Sequence, residues 1–92
     1  MSPDARPLLA PRARLREDRQ TGRTLLLYPE AGLALNLTAA ATLRLCDGER
    51  TLSQIAALLA ERFGRETGEV AAEITPFLDQ LVSRGLVREA AP

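Results

Sequence analysis

Between Leu33 and Leu45 the chain changes its hydrophobic period, and every neighbouring segment has to accommodate that change. Leu33, Leu35 and Leu37 alternate with Ala34 and Asn36, the period of two that puts every second side chain on one face of a strand. From Thr38 the period lengthens. Ala40, Ala41, Leu43 and Leu45 follow three- and four-residue spacings, with Thr42 and Arg44 on the polar side, as in a short amphipathic helix. Either Asn36 or Thr38 can cap that helix, since either side-chain oxygen can accept from a backbone N–H that the first turn leaves unpaired.

The segments before this switch read as strands. Residues 1–11 carry Pro3, Pro7 and Pro11, each removing a backbone donor, and are expected to form a flexible arm. From Arg12 to Glu17, three arginines alternate with Ala13 and Leu15, leaving one charged face and one that can pack on a core. Asp18 to Gly22 supplies a turn. Arg23 to Tyr28 contains Leu25, Leu26 and Leu27 without interruption, so both faces are apolar and this is the expected central strand. After a second turn at Pro29 to Gly32, the Leu33 to Leu37 stretch becomes an edge strand of a meander, with an open row of backbone donors and acceptors. The surplus apolar face of Leu25 to Leu27 predicts burial against a partner or a second copy, so a homodimer is a possible state.

The segments after the switch read as helices. Asp47-Gly48 ends the first, and Thr51 with Gln54 forms a capping box for the second, whose apolar stripe is Leu52, Ile55, Ala56, Leu59 and Phe63. Gly64 stops it. A third helix opens at Thr67-Gly68-Glu69 and presents Val70, Ile74, Phe77 and Leu81, with Leu78 and Val82 widening the stripe. Pro76 inside this pattern is expected to divide the helix into two segments. Gly85 ends it, Leu86 to Arg88 is expected to pair with the Glu49 to Thr51 connector, and residues 89–92 are expected to form a disordered tail.

Composition narrows the function. Lys plus Arg and Asp plus Glu are both 12, and all the basic residues are Arg, so no charge excess points to nucleic acid or an anionic membrane. One Cys and no His leave no ligand set for zinc and no internal disulfide, which fits a reducing cytoplasm. No bound metal or cofactor is expected. Without an activated nucleophile or a paired acid and base, an enzyme is not the expected reading either.

Leu35-Asn36-Leu37-Thr38-Ala39, followed by Leu45-Cys46-Asp47-Gly48-Glu49-Arg50-Thr51 and Ile55, resembles the signature of the pyrroloquinoline quinone (PQQ) biosynthesis protein D family. The likeness runs from about Ala13 to Arg88. It implies an α+β, winged-helix-like fold in which a three-stranded antiparallel meander precedes a three-helix bundle, making residues 12–88 a peptide-recognition domain. It also implies a non-enzymatic chaperone that binds a ribosomally made precursor peptide and presents it to a radical S-adenosylmethionine (SAM) enzyme. The family's peptide contacts map onto Leu33, Ala34 and Leu35 in the strand and Val70, Glu73, Ile74 and Phe77 on the last helix. An edge strand beside an apolar helix is how peptides bind by strand addition. The alternative is a winged helix-turn-helix that reads DNA, but from Glu69 to Arg84 the last helix opposes Glu69, Glu73 and Asp79 with Arg84 alone.

Overall fold

The computed structural model describes residues 1–91. Its elements are β1 (Pro7–Leu9), β2 (Arg14–Glu17), β3 (Thr24–Tyr28), β4 (Ala31–Leu35), α1 (Leu37–Arg44), α2 (Leu52–Phe63), α3 (Thr67–Ser83) and β5 (Val87–Glu89). Strands β2, β3 and β4 form an antiparallel sheet in that order, so β3 is central and β4 lies at an edge, as the leucine pattern requires. The mixed α+β architecture matches the expected meander followed by three helices.

Leu26 at the middle of β3 is fully buried, while Leu25 and Leu27 are only half-buried. The helices therefore cover the Leu26 face. The core joins Leu26 and Leu35 from the sheet to Leu43, Ile55, Leu59, Ile74, Leu78 and Leu81 from the three helices. The β3–β4 hairpin closes with Tyr28 opposite Ala31, leaving a two-residue turn of Pro29 and Glu30. Proline fixes the first turn residue, and Glu30 enters the left-handed region at φ 66°. Gly32 thus belongs to the strand rather than to the turn.

Local caps fix the helix starts. Asn36 caps α1, its side-chain oxygen accepting from the Ala39 N–H at 2.8 Å, which decides between the two candidates. The strand consequently stops at Leu35, and Leu37 becomes the first helical residue with its side chain 81% exposed rather than the end of an edge strand. The Thr51–Gln54 capping box of α2 is present in both directions, and Gly64 ends that helix with φ 62°. Thr42, expected on the polar side of α1, is completely buried; its hydroxyl donates to the Thr38 carbonyl at 2.6 Å, which removes the cost of burial.

Three expectations fail. Residues 1–11 do not form a free arm: β1 pairs antiparallel with β5, and the carbonyls of Pro3 and Ala5 accept the N–H groups of Ser53 and Leu52 in the first turn of α2. These N–H groups have no partner inside the helix, so a strap of carbonyls is a satisfactory neighbour even where prolines interrupt it. Secondly, β5 meets this strap instead of the Glu49 to Thr51 connector, and Glu89 belongs to the strand rather than to a tail. Ala90 donates its N–H to the Arg6 carbonyl; Pro92 lies outside the described residues. Thirdly, α3 runs unbroken across Pro76, because the loss of one main-chain bond is tolerated in a helix held by Val70, Ile74, Leu78 and Leu81 in the core.

Candidate functional site

The open edge of β4 follows from the register. In a two-residue hairpin the closing pair exchanges both hydrogen bonds, and bonded pairs then alternate with unbonded ones. Starting from Tyr28 and Ala31, the bonded pairs are Leu26 with Leu33 and Thr24 with Leu35. Gly32 and Ala34 therefore turn their N–H and C=O groups away from β3, toward the open edge. On the other side of β3, the Asp18 N–H donates to the Arg23 carbonyl at 2.7 Å, so Leu15 and Glu17 carry the outward groups of β2. The sheet has two such edges.

Past the C-terminal end of β4, the start of α1 and the middle of α3 border a half-open cavity of about 110 Å³. Asn36, Thr38, Ala39 and Thr42 line one wall, and Glu73, Ile74 and Phe77 the other. The cavity is small but comparable with the side chain of an aliphatic residue, given that an engineered cavity of about 150 Å³ takes up benzene. Glu73 is exposed at its rim and forms an ion pair with Arg65 at 3.2 Å. Phe77 is half-buried and packs against the core.

The residues expected from the sequence divide into four groups. Ala34 is exposed on the edge; Glu73, Ile74 and Phe77 meet at the cavity. Leu33 is half-buried against the core from the inner face. Leu35 and Val70, at 5% and 1% exposure, are core residues with no free surface for a ligand. Ile74 is 1% exposed and contributes to the cavity floor while holding α3 to the core. The α1 wall was not anticipated as site surface, because the capping of Asn36 and the pattern of Thr38 already had a local explanation. Gly32 was missed because it reads as a turn.

The remaining polar groups have structural work. Burial, and then the neighbouring Asp47 carboxylate, push the Cys46 thiol up to about 12. Its sulfur lies 3.2 Å from the Thr42 carbonyl oxygen, so it is a buried thiol rather than a nucleophile. Asp47 accepts from the backbone N–H groups of Arg50 and Glu49, each at 2.9 Å, and these bonds, with the Arg50 guanidinium at 2.7 Å, hold its carboxyl below the usual range. Among the described residues no three His, Cys, Asp or Glu side chains gather as a metal site, and no helix is long and apolar enough to cross a membrane.

Comparison with known proteins places this geometry in a family. The PqqA binding protein of Rhizobium meliloti (strain 1021) is 39% identical over 79 residues, covering 86% of this chain and 81% of its own length. The solution NMR structure of the PqqD truncation of Methylobacterium extorquens PqqCD superposes with a TM-score of 0.79 at 33% identity, covering 97% of this chain and all of the other. That domain is described as a functional, stand-alone recognition element for ribosomally synthesized and post-translationally modified peptides. The crystal structure of PqqD from Xanthomonas campestris gives a TM-score of 0.61 at 31% identity, with 96% and 98% covered. The family model for coenzyme PQQ synthesis protein D matches residues 23–87, most of the sheet and all three helices, and the chain belongs to this PqqD family.

Proposed function

We propose that this protein is a peptide chaperone of PQQ biosynthesis: it binds the ribosomal precursor peptide as a fourth strand along β4 and presents it to the pathway's radical SAM enzyme. The observation that carries the reading is the open β4 edge, where Gly32 and Ala34 turn their backbone groups outward and whose following residue, Asn36, lines the α1/α3 cavity. Main-chain bonds give affinity with little regard to sequence, and a side chain entering the cavity gives selection. The names of the PqqA-binding relatives support the same peptide class for this chain.

Each added hydrogen bond contributes only about 0.5–1.5 kcal/mol net, so several are needed with the cavity contact to offset the ordering of a flexible peptide. The protein itself turns nothing over in this scheme. Incubated with peptide alone, it leaves the peptide mass unchanged. DNA reading is not favoured: within α3 there is no basic residue, while Glu69, Glu73 and Asp79 would repel phosphate.

Ala34→Pro tests the edge. The Ala34 N–H points outward, so the substitution leaves the β3 ladder intact while removing a donor from the edge and obstructing an incoming strand. Peptide titration should show at least about tenfold weaker binding, equivalent to about 1.4 kcal/mol, in a variant whose circular dichroism is unchanged. Unchanged affinity, or amide protection by peptide confined to β2, would move the site elsewhere.

A further inference from the structure

The sheet face turned away from the helices carries a second arrangement. On β3 it presents Leu25 and Leu27, both half-buried although nothing of the core lies above them. Across one side of the strand lie Gly32, opposite Leu27, and Ala34, opposite Leu25. A Cβ at Gly32 would come within 3.0 Å of Leu27 Cδ2, so the leucine lies down over the glycine and the surface there is smooth and apolar. Across the other side, Arg14 faces Leu27 and Arg16 faces Leu25. Both arginines are exposed, and the ion pairs among the described residues, Met1 with Asp79, Arg50 with Asp47 and Arg65 with Glu73, involve neither.

This face therefore combines an aliphatic centre with two uncompensated guanidinium groups along one border. Glu17 points to the opposite face, and the acidic group on this side of β2 is Asp18 at the start of the turn, which lines the same hollow as Arg16, Leu25 and Leu27 and whose side chain accepts the Gln20 N–H at 3.0 Å. A second copy packed face to face offers Arg14 and Arg16 one carboxylate, Asp18, already engaged by its own turn, while bringing two more arginines against them. The complementary surface is that of a different protein, apolar at its centre and bordered by carboxylates, which arginine engages with two parallel donors.

We propose that the Leu25/Leu27 face, bordered by Arg14 and Arg16, is the docking surface for the enzyme that receives the peptide, and that the enzyme meets it with an acidic-rimmed apolar patch. This rests on the presentation step proposed above. A peptide strand extends the sheet sideways beyond β4, whereas the enzyme covers its outer face with the charged border on β2, so peptide and enzyme occupy the sheet together. Rim charges act mainly on the rate of encounter and are screened by salt, so enzyme binding should weaken as ionic strength rises.

The test uses the purified radical SAM enzyme as probe against the full chain, an Arg14→Glu/Arg16→Glu variant and a Leu25→Glu variant, with circular dichroism confirming the fold. Enzyme affinity should fall at least about tenfold in each, and the salt dependence should flatten in the double variant. Peptide affinity should stay within about twofold, whereas Phe77→Ala, at the α1/α3 cavity, should show the reverse pattern. Unchanged enzyme affinity in both folded variants overturns the assignment. A dimer in sedimentation that the double substitution dissociates also overturns it, giving the face to a second copy. Peptide binding without any enzyme affinity in the unaltered protein removes both this surface and the presentation step, leaving the peptide site standing.

Discussion

The two open edges of the sheet are built from the same kind of ladder and differ in what flanks it. Along β4 the outward backbone groups belong to Gly32 and Ala34, and the α1/α3 cavity lies beyond. Along β2 they belong to Leu15 and Glu17, among arginines at 14 and 16 and the charged Asp18-Arg19 turn. Small side chains let another strand approach; charges discourage it. Unsatisfied backbone groups alone do not make a recognition site, and the side chains around them decide which edge is usable.

The largest expected effect removes the support of the better edge. Ile74→Ala empties volume between the cavity and the core and should cost about 2–5 kcal/mol, read as a lower denaturation midpoint. Because Ile74 is buried, an acidic residue there would test folding rather than recognition. Phe77, half-buried at the cavity, is the better position for binding experiments. Next in size is the contrast between edges: Glu17→Pro, at an exposed position whose N–H also points outward, should leave peptide affinity within about twofold of the parent while Ala34→Pro does not. Equal losses in the two would break the comparison.

A smaller effect sits where β4 ends. Asn36→Ala removes the α1 cap and one of the side chains lining the cavity, and should lower stability by about 1 kcal/mol. The smallest concerns pH. Cys46 has a folded value above its unfolded one, so its contribution is complete below pH 9.0 and is lost as pH rises toward about 12. Urea titrations of the parent and Cys46→Ala should therefore converge in stability over that alkaline range, and alkylation of the native thiol should be slow at neutral pH.

What the sequence made legible was local. Thr51 and Gln54 announce α2 because both partners of the capping box lie within four residues. The uninterrupted leucines of β3 point to the central strand, and β2 and β4 do pair along both of its edges, although only its Leu26 face meets the core. The candidate site was only partly readable, since helical spacing puts Val70, Ile74 and Phe77 on one stripe without revealing that the first two point into the core and the third to its margin. Thr42 looked polar because spacing does not reveal a hydroxyl bonded to its own helix. The pairing of β1 with β5 had no local signal at all: Leu8 finds Arg88, at the far end of the chain.

That last pairing bears on the order in which the molecule folds. The β2–β3–β4 meander and the α2/α3 pair join neighbours in sequence and close short loops, whereas the strap must bring residues 7–9 to residues 87–89. Loop-closure entropy makes so distant a contact a late one, formed after the helices have already drawn their ends together. Substitutions in the strap should thus speed unfolding while leaving the refolding rate nearly untouched, and it is the segment whose amides should exchange by the shallowest opening.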